Sequence, residues 1–122
     1  MASGLTSTDF NYDNLVIGDF PLLTRAGTLL SGQNVVRGAI LGKESSEGKY
    51  KLSLTASTDG SEVPVAIAAE ACDASLGDKK FVVYESGEFN EDRVTVGTGH
   101  SIATIRDAMR AIGIYFRKPL PR

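Results

Sequence analysis

The run Phe81-Val82-Val83-Tyr84 is the clearest strand signal in the chain. Its aromatic and β-branched side chains favour extended backbone, and a continuous apolar run of this length is typical of a strand buried on both faces. Residues 63–69 form a second such run. Residues 50–54 alternate apolar and polar side chains, which predicts a half-buried strand. These three segments indicate a core built from sheets.

Glycines divide the chain between residues 18 and 99 into short pieces, mostly 4 to 12 residues long. This spacing is typical of short strands that are joined by turns. The pairs Glu47-Gly48 and Asp59-Gly60 are turn signals. Gly38 lies between the apolar residues 35–36 and 39–41, which predicts one strand with a bulge or with a close approach of another backbone.

The segment after residue 100 predicts a single helix. Ser101 is the candidate N-cap, and Thr98 is its rival. Gly113 is placed to follow the helix as its C′ residue, and residues 114–116 then predict a last strand. Between cap and glycine, four apolar residues share one helical face: Ile102, Ile105, Met109 and Ile112.

These elements predict a mostly β (α+β) fold, namely a compact, small β-barrel-like domain with one C-terminal helix and a flexible N-terminal arm. We place the arm at residues 1–14, the β domain at residues 15–116 and a C-terminal tail at residues 117–122. The size of the chain, 122 residues and 13.0 kDa, suits one such domain.

The first 14 residues are polar and carry no Lys or Arg. Such a segment is either a frayed terminus or an arm that becomes ordered on a partner. In an arm, Phe10 and Tyr12 would serve as apolar anchors. Alternation along an extended strand places them on the same face as Thr8.

The composition excludes several classes of function. Thirteen Lys and Arg residues against 15 Asp and Glu residues give a net charge of −2, which disfavours a nucleic-acid binder. One cysteine excludes an intramolecular disulfide, and one histidine excludes a multi-histidine metal centre. No apolar run approaches the roughly 20 residues that span a bilayer. We expect a soluble protein made in the cytoplasm, with no cofactor, no metal and no membrane partner.

The candidate catalytic residues do not form a recognisable set. His100 has no assignable nucleophile or carboxylate, so we interpret it as a surface or capping residue. Cys72 lies among acids that do not activate a thiol, so we expect a small buried hydrophobe. An acidic cluster lacks the calcium-loop spacing and is interpreted as a solvated rim: Glu85, Glu88, Glu91 and Asp92.

These residues favour a structural or binding module over an enzyme. Two alternatives stay open. One is a small hydrolase that uses His100, Ser101 and an acid. The other is a small β-barrel binding module, such as a tail-tube component or a carrier domain.

Several segments, in order, resemble the family of lambda-type bacteriophage head decoration proteins. Residues 32–42 carry a Gly-Gln pair that leads to Arg-Gly-x-x-Leu-Gly. Residues 59–67 carry an Asp-Gly turn and a buried strand, and residues 87–90 read Gly-Glu-Phe-Asn. With the late helix, the resemblance covers about residues 15–116.

The resemblance implies a capsid-stabilising protein without catalytic activity. Members of this family bind the outside of an expanded capsid, usually as trimers at local three-fold positions, and stabilise it against the pressure of packaged DNA. Their N-terminal arm is often mobile when free and becomes an added strand on the major capsid protein. The expected partners are the major capsid protein and further copies of the chain, on the outer surface of the virion. The expected capsid-binding residues are Thr8, Asp9, Phe10, Tyr12 and Leu15.

Overall fold

The computed structural model describes residues 14–18 and 20–118. Within them lie eight strands and one helix, in the order β1 (Leu23–Leu29), β2 (Asn34–Val35), β3 (Ile40–Lys43), β4 (Tyr50–Leu52), β5 (Pro64–Ala68), β6 (Cys72–Asp73), β7 (Lys79–Asn90), α1 (Ile102–Arg110) and β8 (Ile114–Arg117).

Five strands close into a barrel. They are hydrogen-bonded neighbours in the order β1, β4, β3, β5 and β7, and β7 pairs with β1 to complete the ring. The β1–β4 pair is parallel and the other pairs of the ring are antiparallel. The β1–β7 ladder runs from Leu23 opposite Ser86 to Leu29 opposite Lys79. This closed ring with one C-terminal helix confirms the predicted mostly β, barrel-like fold.

The long strand β7 continues beyond the barrel. There β8 pairs with it in parallel, from Ile114 beside Gly87 to Arg117 beside Asn90. The chain before β1 contributes an antiparallel bridge from Val16 to Phe89. The second half of β7 therefore carries the last strand and the beginning of the described chain. β2 and β6 form a separate two-stranded ladder.

Two apolar clusters lie on opposite sides of the central strands. Neighbouring residues Ile40 and Leu41 of β3 belong to different clusters, and so do Val83 and Tyr84 of β7. Strands of this kind are apolar on both faces, as predicted for the two continuous runs. Val82 departs from that prediction, because its side chain is 36% exposed.

α1 begins at the predicted cap. The hydroxyl of Ser101 accepts a hydrogen bond from the N–H of Thr104 (3.3 Å), and the Ser101 N–H donates to the Thr104 hydroxyl (2.9 Å). This reciprocal pair is a capping box, with Thr at the third helical position. Ser101 is therefore the N-cap, and the rival Thr98 is not.

The C-terminal end of α1 differs from its prediction. Ile105 and Met109 are buried as expected, but Ile112 is 46% exposed and lies beyond the helix. The C-cap is Ala111. Gly113, at φ +94°, therefore occupies the C″ position and not the predicted C′ position. No helix in the described part of the chain has the length and apolar character of a membrane span.

The single strand predicted around Gly38 is wrong, because β2 and β3 are separate strands in different sheets. The predicted close approach is confirmed. Gly38 has φ +96°, and a Cβ atom there would lie 2.7 Å from the carbonyl oxygen of Arg93. Left-handed backbone and lack of space both favour glycine here. The turns predicted at Gly48 and Gly60 are also present, at φ +72° and +101°.

Candidate functional surface at the end of β7

The N-terminal segment joins the domain at the far end of β7. The N–H of Ile17 donates to the carbonyl of Glu88 (2.8 Å), and the N–H of Asn90 donates to the carbonyl of Leu15 (2.7 Å). The side chain of Leu15 is 1% exposed and packs in the cluster that also holds α1 and β8. We call residues 15–17 the root, because main-chain bonds and a buried side chain hold them on β7.

Of the five predicted capsid-binding residues, four precede the described part of the chain and one lies in the root. Thr8, Asp9, Phe10 and Tyr12 lie outside the described residues. Leu15 is the one that the structure describes, and its side chain packs inside its own domain. Leu15 therefore holds the N-terminal segment on its own domain. A partner could reach its side chain only if residues 15–17 detached from β7.

The side chain of Glu88 connects the segment just before β1 to β8. Its Oε1 atom accepts the N–H of Phe20 (2.9 Å), and its Oε2 atom pairs with Nε of Arg117 (2.7 Å). The Glu88 side chain is only 12% exposed. The prediction of a solvated rim is therefore wrong for this residue, whose carboxylate holds two elements together.

The other acids of the predicted rim also have cationic partners. Glu91 pairs with Arg106 (2.9 Å) and its side chain is 15% exposed, so it too lies below the surface. Asp92 accepts a hydrogen bond from Lys118 (3.2 Å), which raises the pKa of that ammonium group. Nearer the barrel, Glu85 pairs with Arg25 (2.9 Å). The acids bind neighbouring elements, and none of the described residues forms a group of three or more potential metal ligands.

Two cavities lie on either side of Tyr115. One, of about 310 Å³, follows the outer edge of β8 and is lined by Arg106, Arg110, Tyr115, Phe116 and Arg117. The other, of about 210 Å³, is lined by Phe20, Glu88, Tyr115 and Arg117. We call the first the β8-edge cavity. It brings three guanidinium groups to one strand edge, a juxtaposition that depends on the packing of α1 against β8.

Exposed apolar side chains surround the same region and were not singled out by the sequence reasoning. Phe20, Leu22 and Leu23 are 39%, 42% and 57% exposed. The Phe20 ring lies 4.7 Å from the ring of Tyr115, centroid to centroid. In the sequence, the feature that could have indicated this exposed patch is the apolar run Phe20-Pro21-Leu22-Leu23. A short apolar run just after a polar segment is also consistent with a core strand, and periodicity alone does not separate the two.

His100 is neither a capping residue nor a catalytic base. The hydroxyl of Ser53 donates to the carbonyl of Ser61 (2.7 Å), so its oxygen accepts from His100 Nε2 (3.1 Å). With the proton on Nε2, this imidazole cannot remove the proton of Ser53, which is itself fully buried. The hydroxyl of Ser101 is engaged in the helix cap. The structure therefore offers no basis for the hydrolase alternative.

Cys72 is the first residue of β6. It is buried, as predicted, and it packs in the same apolar cluster as Val35 of β2. Burial raises the pKa of its thiol, because the thiolate loses solvation inside the domain. A thiol that is buried and protonated is a packing group and not a nucleophile.

Residues 5–115 match the family model of the bacteriophage lambda head decoration protein D. The chain belongs to this family. The match takes in the polar N-terminal segment from residue 5 onward, the whole barrel, α1 and the start of β8. No curated protein sequence matches the chain.

Membership of the head decoration protein family confirms the resemblance and decides between the open alternatives. A head decoration protein is a structural protein of the phage capsid and lies on the capsid surface of the virion. The chain is therefore not an enzyme, and neither the hydrolase nor the tail or carrier module describes it.

Proposed function

We propose that this head decoration protein binds the outside of the expanded capsid as a homotrimer at local three-fold sites, and that it stabilises the shell against the pressure of packaged DNA. Residues 1–14 grip the major capsid protein, with Phe10 and Tyr12 as anchors beside Thr8 and Asp9. The family match over residues 5–115 is the observation that carries the proposal.

The construction of the root supports this role for the N-terminal segment. A load on residues 1–14 passes to β7 through the two main-chain hydrogen bonds of Leu15 and Ile17. It passes to the core through the buried Leu15 side chain. β7 is shared by the barrel and β8, so the load spreads over the whole domain. An arm with such a base transmits force instead of peeling away.

Selective binding gives the energetic mechanism. A protein that binds only the expanded shell shifts the equilibrium towards that shell by its binding free energy. Three copies at one symmetric position add avidity, so that each arm can bind weakly by itself. No catalytic step is needed, which agrees with the absence of catalysis in the family.

Deleting residues 1–14 tests whether this segment is the grip. The deletion ends before Leu15, so we expect the variant to keep the melting temperature of the full chain. In co-sedimentation, the full chain should pellet with expanded shells and not with unexpanded ones, whereas the variant should stay in the supernatant. Full binding by the variant would refute the arm as the grip.

Two single substitutions distinguish apolar anchoring from electrostatic capture. Phe10→Ala should weaken binding to expanded shells by about 2 kcal/mol, or roughly 30-fold in Kd, as expected for a buried aromatic anchor. Asp9→Ala, its matched partner one residue away, should have a smaller effect. The reverse order would show that charge, and not the aromatic ring, dominates the contact.

A further inference from the structure

The chain between the root and β1 is longer than the part of β7 that it faces. Val16 lies opposite Phe89, and Leu23 lies opposite Ser86. Seven steps along the first segment, from 16 to 23, therefore correspond to only three steps along β7, from 86 to 89. The extra residues have no counterparts in the ladder, so the segment projects from the sheet as a loop. Such an insertion directs its side chains away from the regular ladder.

The projecting loop displays apolar side chains that are held in place. Phe20 and Leu22 are both exposed. The ring of Phe20 lies against the ring of Tyr115, and a Cβ atom at Gly87 would lie 2.7 Å from Cδ1 of Leu22. Single exposed apolar side chains are ordinary, whereas contiguous ones mark a surface for another molecule. We call Phe20, Leu22 and Tyr115 the loop patch.

The cavity of about 210 Å³ forms a notch beside the loop patch, lined by Phe20, Glu88, Tyr115 and Arg117. A cavity of about 150 Å³ inside a protein can hold a benzene ring, so the notch has room for one large side chain. The Glu88 carboxylate already accepts the Phe20 N–H and pairs with Arg117. The notch thus presents two aromatic rings and a compensated acid, which suits an apolar side chain.

The loop patch is continuous with the root. The main-chain carbonyl of Glu88 accepts the N–H of Ile17 (2.8 Å), and its Oε1 atom accepts the N–H of Phe20 (2.9 Å). One residue of β7 therefore holds both the root, where the arm leaves the domain, and the loop patch. Five residues of extended chain span at most about 18 Å, so the anchor Phe10 lies within that distance of Leu15.

We propose that the loop patch is a second contact with the major capsid protein, in which the notch receives one large apolar side chain of that protein. The position of the patch favours this occupant, because the arm brings its partner's surface to the root in every bound copy. Burial of apolar surface stabilises the contact, and two contacts on one partner add avidity. The inference rests on the proposed function, because it takes the capsid as the partner of the arm.

The test compares Leu22→Asn with two matched variants of the full-length chain. Leu22→Met keeps an apolar side chain of similar volume at the same position. Leu76→Asn makes the same chemical change in the loop before β7, where Leu76 is fully exposed. Thermal unfolding of the four proteins checks that each of them is folded before binding is measured.

With expanded, undecorated shells, we expect Leu22→Asn to raise Kd about tenfold, because an amide without a partner replaces an apolar contact. Leu22→Met and Leu76→Asn should bind within about twofold of the unaltered chain. An unchanged Kd for Leu22→Asn, or an equal loss for either matched variant, would overturn the inference while the unaltered chain still binds. If the unaltered chain itself fails to bind expanded shells, the proposed function fails instead.

Hydroxyl-radical labelling tests the loop patch without any substitution. Phe20 and Tyr115 should be labelled at least about threefold more slowly in the shell-bound chain than in the free chain, because the contact excludes water. Leu76 should be labelled equally in both states and serves as the internal reference. Equal labelling of Phe20 in both states would overturn the inference. Protection of Phe20 that appears without shells, as the protein concentration rises, would assign the patch to a contact between copies of the chain and would overturn the inference as well.

Discussion

Asp59 illustrates how one side chain organises a turn of this barrel. Its Oδ1 atom accepts the N–H and the hydroxyl of Ser61 (3.0 and 2.5 Å), and its Oδ2 atom accepts from Lys51 (3.1 Å). The Ser61 carbonyl then accepts the hydroxyl of Ser53, which is bound to His100. These polar contacts link the turn before β5 to β4 and to the loop before α1.

These bonds make the contribution of Asp59 depend on pH. The Ser61 hydroxyl and N–H, followed by the Lys51 ammonium, hold the pKa of Asp59 well below its ordinary value of 3.8. A carboxyl group whose pKa is lowered in the folded state stabilises that state above the unfolded pKa, and the contribution is lost as the pH falls through the folded pKa.

Asp59→Asn should therefore lower the melting temperature at pH 7, and the difference from the unaltered chain should shrink as the pH falls below about 3.8. Thermal unfolding followed by circular dichroism at several pH values measures this difference. Asp107→Asn, on the exposed face of α1, is the control and should change the melting temperature little at any pH. A difference for Asp59→Asn that is constant with pH would contradict the ionic origin of the effect.

At the scale of elements, the contribution of the α1 N-cap to stability can be measured against a control, because Thr98 is a nearby residue that could have capped the helix and does not. Ser101→Ala removes the hydroxyl that accepts the Thr104 N–H, and should cost about 1 kcal/mol in the free energy of unfolding. Thr98→Ala should cost much less, since the structure uses the Thr98 carbonyl and not its hydroxyl. Urea unfolding of both variants measures the two costs. Equal losses would show that the cap does not decide the stability of α1.

The sequence predicted correctly those features that depend only on residues close together in the chain. The Ser101 cap, the apolar positions of α1 and the turns at Gly48 and Gly60 follow from residues a few positions apart. The division into β2 and β3 at Gly38 was not predicted, because it depends on residues that are distant in sequence. Arg37 donates to the Ala69 carbonyl and to the Tyr84 hydroxyl (both 2.8 Å), and Gly38 faces the backbone of Arg93. The Arg-Gly signature is thus a packing requirement.

The candidate surface was the least predictable part for the same reason. We predicted that Glu88 and Glu91 belong to a solvated rim, because carboxylates are usually exposed. Their burial depends on Arg117 and Arg106, which come from later elements. The β8-edge cavity likewise requires α1 and β8 to meet, which no short stretch of sequence encodes. What sequence did supply was the family resemblance and the distinct composition of residues 1–14.

At the scale of the whole molecule, β7 gives the domain two ends. At one end lie the root, the last residues of β8 and the acids paired with neighbouring cations. At the other end lie the start of β7 and the loop before it, where Leu76 is fully exposed. A protein that grips a shell at the first end presents the second end outward. The barrel lies between the two ends, and it is closed by hydrogen bonds around the ring.

The proposed stabilisation of expanded shells makes a quantitative prediction. If each site exists only on the expanded shell, bound protein stabilises that shell by RT ln(1 + [L]/Kd), about 2.7 kcal/mol per site at a free concentration of 100 Kd. The disruption temperature of expanded shells, measured by calorimetry, should therefore rise with the logarithm of protein concentration. Unexpanded shells should show no rise, and neither should expanded shells mixed with the variant that lacks residues 1–14. An equal rise for unexpanded shells would mean that the protein coats both forms alike, and stabilisation by selective binding would be wrong.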